Sequence, residues 1–129
     1  MTSPAVTLPS DTRVVDALEL MAVRKIRRVP VLEKGRLVGI LATSDLQSVL
    51  GPDDSSPRRA ATLGDIMKRG VVTVRPDDRL DHAAWLMVEH EVSGLPVVDD
   101  GRVVGLITES DIFAAFTRLM EGLRAAARR

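Results

Sequence analysis

Two short stretches hold the residues whose types and spacing suit chemistry best: GLITESD at 105–111 and GILATSD at 39–45. In each, an apolar run gives way to a helical pattern, and an aspartate, Asp111 or Asp45, stands three residues after the switch. In the later stretch the switch residue is Thr108. Thr-x-x-Asp at that place is a capping box, worth about 1 kcal/mol to a helix start and needing no ligand. The alternative is that Thr108 and Asp111 form half of a ligand site. Arg27 and Arg28 are adjacent cations at a predicted helix end, where the negative pole of the dipole favours them.

These residues have to be positioned by a chain of 129 residues, long enough for one compact domain or two small units sharing a core. With 45% hydrophobic residues, a sizeable core is expected. Lys+Arg and Asp+Glu balance at 18 each, so any charge-driven partner must use a local patch. The absence of cysteine excludes a disulfide framework, a cysteine-ligated metal and thiol catalysis. His82 and His90 fall on mismatched faces of one helical segment, a solvated arrangement and not a metal site. No Ser-His-Asp set, paired-carboxylate spacing or glycine-rich phosphate loop occurs, so no enzyme is expected. No apolar run approaches the length of a membrane span and the N-terminus lacks the features of a signal peptide, so the expected location is cytoplasmic.

The chain repeats itself. Sliding it by 66 residues aligns 1–46 with 67–112 without a gap, and 16 of 46 pairs are identical, against about 3 or 4 expected by chance from average composition. The matches include Asp11/Asp77, Ala17/Ala83, Met21/Met87, Pro30/Pro96, Gly35/Gly101, Gly39/Gly105 and Asp45/Asp111. This divides the chain into a first repeat at 1–50, a polar, turn-rich linker at 51–61 and a second repeat at 62–129 that ends in a long helix.

Each repeat reads as strand, helix, hairpin, helix. In the second copy VVTV at 71–74 is the strand, 79–91 the helix, and LPVVDDGRVVGLI a hairpin about Asp-Gly. DIFAAFTRLMEGLRAAA is the closing helix. One such unit buries little alone, so an α+β fold with the two units packed about a pseudo-two-fold axis is expected. Ala83, Leu86 and Met87 mark the inward side of the first helix. Trp85, the only tryptophan, falls nearly opposite with Val88 beside it, where the first copy has Glu19 at the tryptophan position. An exposed lone aromatic predicts an interface between copies of the chain.

The repeated elements DIMKRGVVTVRPDD, LMVEHEVSGLPVVDDGRVVG and GLITESD, with RKIRRVPVLEKGRLVG and GILATSD in the first copy, resemble the tandem CBS domain, named after cystathionine β-synthase. The resemblance spans nearly the whole chain and is to a stand-alone bacterial CBS pair. It implies a regulatory module sensing an adenosine compound, AMP, ADP, ATP or S-adenosylmethionine, with no catalytic cofactor, and altering the activity of a partner protein. It also implies two composite clefts between the repeats. The first joins Thr108, Asp111 and Leu106 to Val6, Ile26, Arg27 and Arg28. There the aspartate would accept bonds from ribose hydroxyls, the helix start would face a phosphate, and Leu106 would stack on the base. The second joins Asp45 and Ile40 to Val72, Val92, Ser93 and Gly94, and is expected to be weaker because Ala42 replaces the threonine. Asp45 persists without that threonine, which favours a ligand role for the pair of aspartates. One departure is that the first copy starts at Met1, so nothing matches TLGDI at 62–66, the lead-in that packs beside a cleft in the family.

Two other functions stay open on sequence grounds. One is a ligand-independent scaffold held to partners through the Trp85 face. The other is nucleic-acid binding by the basic tail RLMEGLRAAARR, which is otherwise the frayed end of a helix.

Overall fold

The computed structural model describes residues 6–50 and 61–128, and nearly all of the expected linker lies outside them. The first repeat contains β1 (Leu8–Pro9), α1 (Val14–Arg24), β2 (Arg28–Glu33), β3 (Arg36–Ala42) and α2 (Thr43–Leu50). A single turn, α3 (Leu63–Ile66), leads to α4 (Leu80–Glu89), β4 (Gly94–Asp99), β5 (Arg102–Thr108) and the long α5 (Glu109–Ala127). The fold is α+β, as expected, with a small sheet in each repeat.

The hairpins turn where the sequence requires. Lys34-Gly35 and Asp100-Gly101 both take positive φ, 51° and 77° in one and 50° and 75° in the other. Two successive left-handed residues twist in the same sense as the strands they join, and glycine at the second position makes the turn inexpensive. The β2/β3 and β4/β5 ladders share one register, Pro30 opposite Ile40 and Pro96 opposite Leu106, with a bulge at the same step in each. Lys25 and Glu91, equivalent residues after α1 and α4, are both left-handed as well.

One expected strand is corrected. VVTV at 71–74 is not a strand: only Val74 bridges to Val97, donating to Pro96 O and accepting from Val98 N. In the first repeat β1 continues because Ser10 N donates to Leu32 O at 2.9 Å. Its equivalent in the second repeat is Pro76, which has no N–H to give. The backbone turns away at once, with Arg75 N bound to Asp78 Oδ2.

Two cores form, one per repeat. Val14, Ala17, Met21, Val29, Val31, Leu41 and Leu46 fill the first, and Val74, Ala83, Leu86, Met87, Leu95, Val97 and Ile107 the second. Ala83, Leu86 and Met87 face inward as read from the sequence. The first core has an additional member, Leu63 of α3, which is wholly buried there. Backbone bonds fix it: Val14 N to Ala61 O, Leu63 N to Thr12 O and Gly64 N to Ser10 O. The chain entering the second repeat thus seals the first. Val14 beneath it is 0% exposed, whereas its equivalent in the second repeat, Leu80, is 40% exposed.

Leu63→Ala is therefore expected to lower unfolding stability by about 2–5 kcal/mol, the cost of removing a buried leucine side chain. Denaturant titration measures it. A loss no larger than for an exposed leucine such as Leu80→Ala would mean that α3 does not seal the first core.

Candidate functional site

Each repeat's closing helix starts where its hairpin ends, and both helices bind back to that start in the same way. Thr108 N donates to Asp111 Oδ2 at 2.8 Å, Thr108 Oγ1 lies 3.2 Å from the same oxygen, and the reciprocal capping box is complete. In the first repeat Ala42 N donates to Asp45 Oδ2, also at 2.8 Å, with no hydroxyl involved. A carboxylate at this position therefore caps the backbone with or without a threonine. The persistence of Asp45 beside Ala42 has a local cause, and the inference drawn from it in favour of a ligand loses its force. A second capping box, Thr62 with Asp65, starts α3.

The Asp111 environment suits a charged acceptor. Burial acts to raise its pKa, but the donors converging on the carboxylate, the Thr108 N–H and hydroxyl among them, outweigh that effect and hold the group below the ordinary aspartate value. It is ionised at neutral pH. Asp111 and Thr108 are half-buried, and Asp45 is exposed.

The two repeats meet at the start of their hairpins. Arg28, the first residue of β2, donates from Nε to Ser93 Oγ at 3.1 Å and from Nη2 to the same oxygen. Its side chain crosses the face of Gly94, where an added Cβ would stand 2.8 Å from Arg28 Cδ. Gly94 pairs with Thr108 in the β4/β5 ladder, and Ser93 O accepts the Glu109 N–H at the start of α5. An arginine of the first repeat is thus linked through Ser93 and Gly94 to the capped helix that carries Asp111.

This junction joins residues that the sequence divided between two clefts. Arg28 belonged to the first, Ser93 and Gly94 to the second. A signal was present in the sequence: Arg28 and Gly94 occupy the same position in the two repeats. Equivalent residues approach each other near a two-fold axis, and a long side chain opposite a glycine is a complementary pair there.

The other expected residues are spread more widely. Leu106 and Ile40 are half-buried partners of Pro96 and Pro30 across their hairpins. Ile26 packs on the first core and Val72 and Val92 on the second, while Val6 is half-buried. Arg27 accepts the Thr43 N–H and hydroxyl at its carbonyl and lines an outer groove with Glu19, Lys25 and Gln47. That groove lies between α1 and α2. A further inter-repeat contact is the bidentate pair of Arg69 with Glu33, at 2.9 and 2.6 Å, whose hydrogen bonds hold the Glu33 pKa down. No cluster of metal-ligating side chains occurs among the described residues. No helix among them is long and apolar enough to cross a membrane.

The family model described as CBS domain matches residues 1–51 and 63–118. The solved CBS domain pair of protein MJ0100, in complex with 5′-methylthioadenosine and S-adenosyl-L-methionine, is 33% identical, with 91% of each chain covered and a TM-score of 0.79. The solved structure of CBSX2 in complex with AMP is 30% identical, covers 91% of this chain and 90% of that one, and has a TM-score of 0.75. L-aspartate semialdehyde sulfurtransferase of Methanocaldococcus jannaschii is 34% identical over 118 residues, which are 90% of this chain and 22% of that enzyme. The chain spans 22%, 41% and 21% of the length of three such longer relatives. With two sequence repeats, two matching hairpin-and-helix units and a family match over both, the chain belongs to the CBS domain family and is a pair of its repeats.

Proposed function

We propose that this CBS pair is a regulatory module that binds an adenosine compound, AMP, ADP, ATP or S-adenosylmethionine, between its repeats and alters the activity of a partner protein. The observation that carries the reading is the ionised, capped Asp111 on the helix that Ser93 and Gly94 link to Arg28 of the other repeat. Support comes from two similar CBS pairs, at 33% and 30% identity, solved with adenosine compounds. Thr108, Asp111 and Leu106 form one wall of the proposed site. Val6, Ile26, Arg27 and Arg28 form the other. The carboxylate accepts the ribose hydroxyls, and the Arg28 guanidinium and the α5 N-terminus take the phosphates or another anionic group. Asp45, Ile40, Val72, Val92, Ser93 and Gly94 form the second, weaker site. The module has no catalytic step of its own, acts in the cytoplasm, and self-associates through Trp85 and Val88, which are 57% and 79% exposed.

A thermal-shift screen against AMP, ADP, ATP, S-adenosylmethionine and cyclic dinucleotides tests this directly, since a ligand bound only by the native state raises the melting temperature. An adenosine compound is expected to raise it, and Asp111→Ala to abolish the rise. The unliganded variant should lose only about 1 kcal/mol, the worth of a cap. A folded protein that responds to no compound would leave the ligand-independent scaffold as the function.

The pH dependence of Asp111 has a definite sign. Its folded pKa lies below the ordinary value, so its contribution to stability is fully present above the unfolded value of about 3.9 and is lost as pH falls through the folded one. The stability gap between the wild type and Asp111→Asn is expected to be constant from neutral pH down to that region and to close below it. A gap that already closes near neutral pH would contradict an ionised, stabilised carboxylate.

A further inference from the structure

Arg28 belongs to the wall of the first site by its place in the chain, but its side chain lies on residues of the second. Its Nε and Nη2 both donate to Ser93 Oγ, and its Cδ and Nε would stand 2.8 and 3.3 Å from a Cβ added at Gly94. Ser93 and Gly94 are both assigned above to the second site. Gly94 is buried and Arg28 half-buried, so the arm fills space between the repeats and does not trail over the surface. No equivalent arm returns from the second repeat, because the residue equivalent to Arg28 is Gly94 itself, and the one equivalent to Ser93 is Arg27. The crossing at Gly94 therefore runs in one direction.

The contact is suited to release. Both donors share one neutral hydroxyl, and no carboxylate pairs with Arg28 among the described residues. A guanidinium is a fork of N–H groups that matches two oxygens of a phosphate or carboxylate, and such charge-assisted bonds are roughly twice as strong as those to neutral acceptors. An anion within reach takes the guanidinium from Ser93. A neutral nucleoside offers only hydroxyls and ring nitrogens, which hold it no better than the serine does. The distance to cover is short: Gly94 pairs with Thr108 in the β4/β5 ladder and Ser93 O accepts the Glu109 N–H, so the arm already ends beside the first turn of α5, where the proposed site holds its anionic group. Rotation about the torsions of one long side chain makes the step, with the strand that carries its backbone left in place.

We infer that Arg28 is a latch that makes the two sites fill in order. In the unliganded pair it closes the second site. An anionic adenosine compound in the first site draws the guanidinium off Ser93 and Gly94 and opens the second, and a neutral adenosine compound does not. This rests on the two sites proposed above and adds the coupling between them. It also gives their inequality a cause besides Ala42, since the second site is shut by a side chain of the first repeat. The coupling is reciprocal: a ligand that excludes Arg28 from Ser93 frees the guanidinium for an anion in the first site. The pair thereby distinguishes a nucleotide from its nucleoside by the number of sites that each fills.

Calorimetric titration with AMP counts the sites. The wild type is expected to take up two AMP per chain, and Asp45→Ala one. Asp111→Ala is expected to take up none at concentrations that fill the wild type, because its second site stays shut, whereas independent sites would leave it one. Adding Arg28→Ala to Asp111→Ala is expected to restore one. Adenosine is expected to fill no more than one site of the wild type. If the double variant does not fold, as judged by its melting transition, Ser93→Ala in the Asp111→Ala protein frees the arm by removing its acceptor and carries the same expectation. One AMP retained by Asp111→Ala, none restored by freeing the arm, or two adenosines on the wild type would overturn the latch while leaving nucleotide binding intact. A wild type that stops at one AMP would overturn the release of the arm. A wild type that binds no AMP would overturn the nucleotide-site reading on which the latch rests.

Discussion

The placement of the two repeats depends on the segment that joins them being built into the first. Ala61, Leu63 and Gly64 form backbone bonds with Val14, Thr12 and Ser10, and the Leu63 side chain completes the first core. Beyond α3, Met67 lies against Gly39, where an added Cβ would meet its sulfur at 2.8 Å, and Arg69 grips Glu33. The chain therefore leaves the first repeat along a path fixed by buried packing and paired backbone groups. The second repeat begins at a defined place. Any cleft between the repeats inherits its width from that path, and so does the reach of Arg28 to Ser93.

On this frame the same residues serve two purposes. Asp111 and Asp45 cap their helices, and capping alone accounts for their geometry. Ligand recognition needs no different arrangement, because the features that make a good cap, a fixed and ionised carboxylate at the positive end of a helix, also make a good acceptor for hydroxyls next to an anion site. One arrangement thus serves both roles at these positions. The difference lies across the junction, where Arg28 reaches the second repeat and its equivalent, Gly94, offers no side chain.

Much of this was legible in the sequence because it is local. Asp-Gly and Lys-Gly fix the hairpins, and the spacing of Ala83, Leu86 and Met87 fixes the buried face of α4. The 66-residue offset gives the pair its symmetry. The failures have physical causes of other kinds. VVTV has strand composition, but its ladder stops where Pro76 replaces Ser10, a cross-strand effect that propensity does not register. The packing of α3 onto the first core joins segments about fifty residues apart and breaks the symmetry that the repeat suggests. The tail reads by its arginines as a basic helix, whereas the structure also leaves Phe113, Phe116, Met120 and Leu123 exposed along α5; the aligned repeat ends at residue 112 and offers no second copy for comparison.

The closing helix also connects the proposed site to the proposed interface. The α5 helix begins at the Thr108–Asp111 cap and presents Phe113, two residues after Asp111, to the groove between α4 and α5. Ser93 does the same from the other side, lining that groove while its hydroxyl holds Arg28 and its carbonyl holds Glu109 N. A ligand that binds Asp111 and draws Arg28 toward an anionic group competes for contacts that also set the angle of α5 and the end of α4. It can shift the pair only by its differential affinity for the two arrangements. Because α5 is a continuous helix of 19 residues, a small rotation at its first turn moves Leu123 much farther than it moves Phe113. A change in repeat-to-repeat geometry at the first turn of α5 is therefore carried to the exposed side chains along the same helix, Phe113, Phe116 and Leu123.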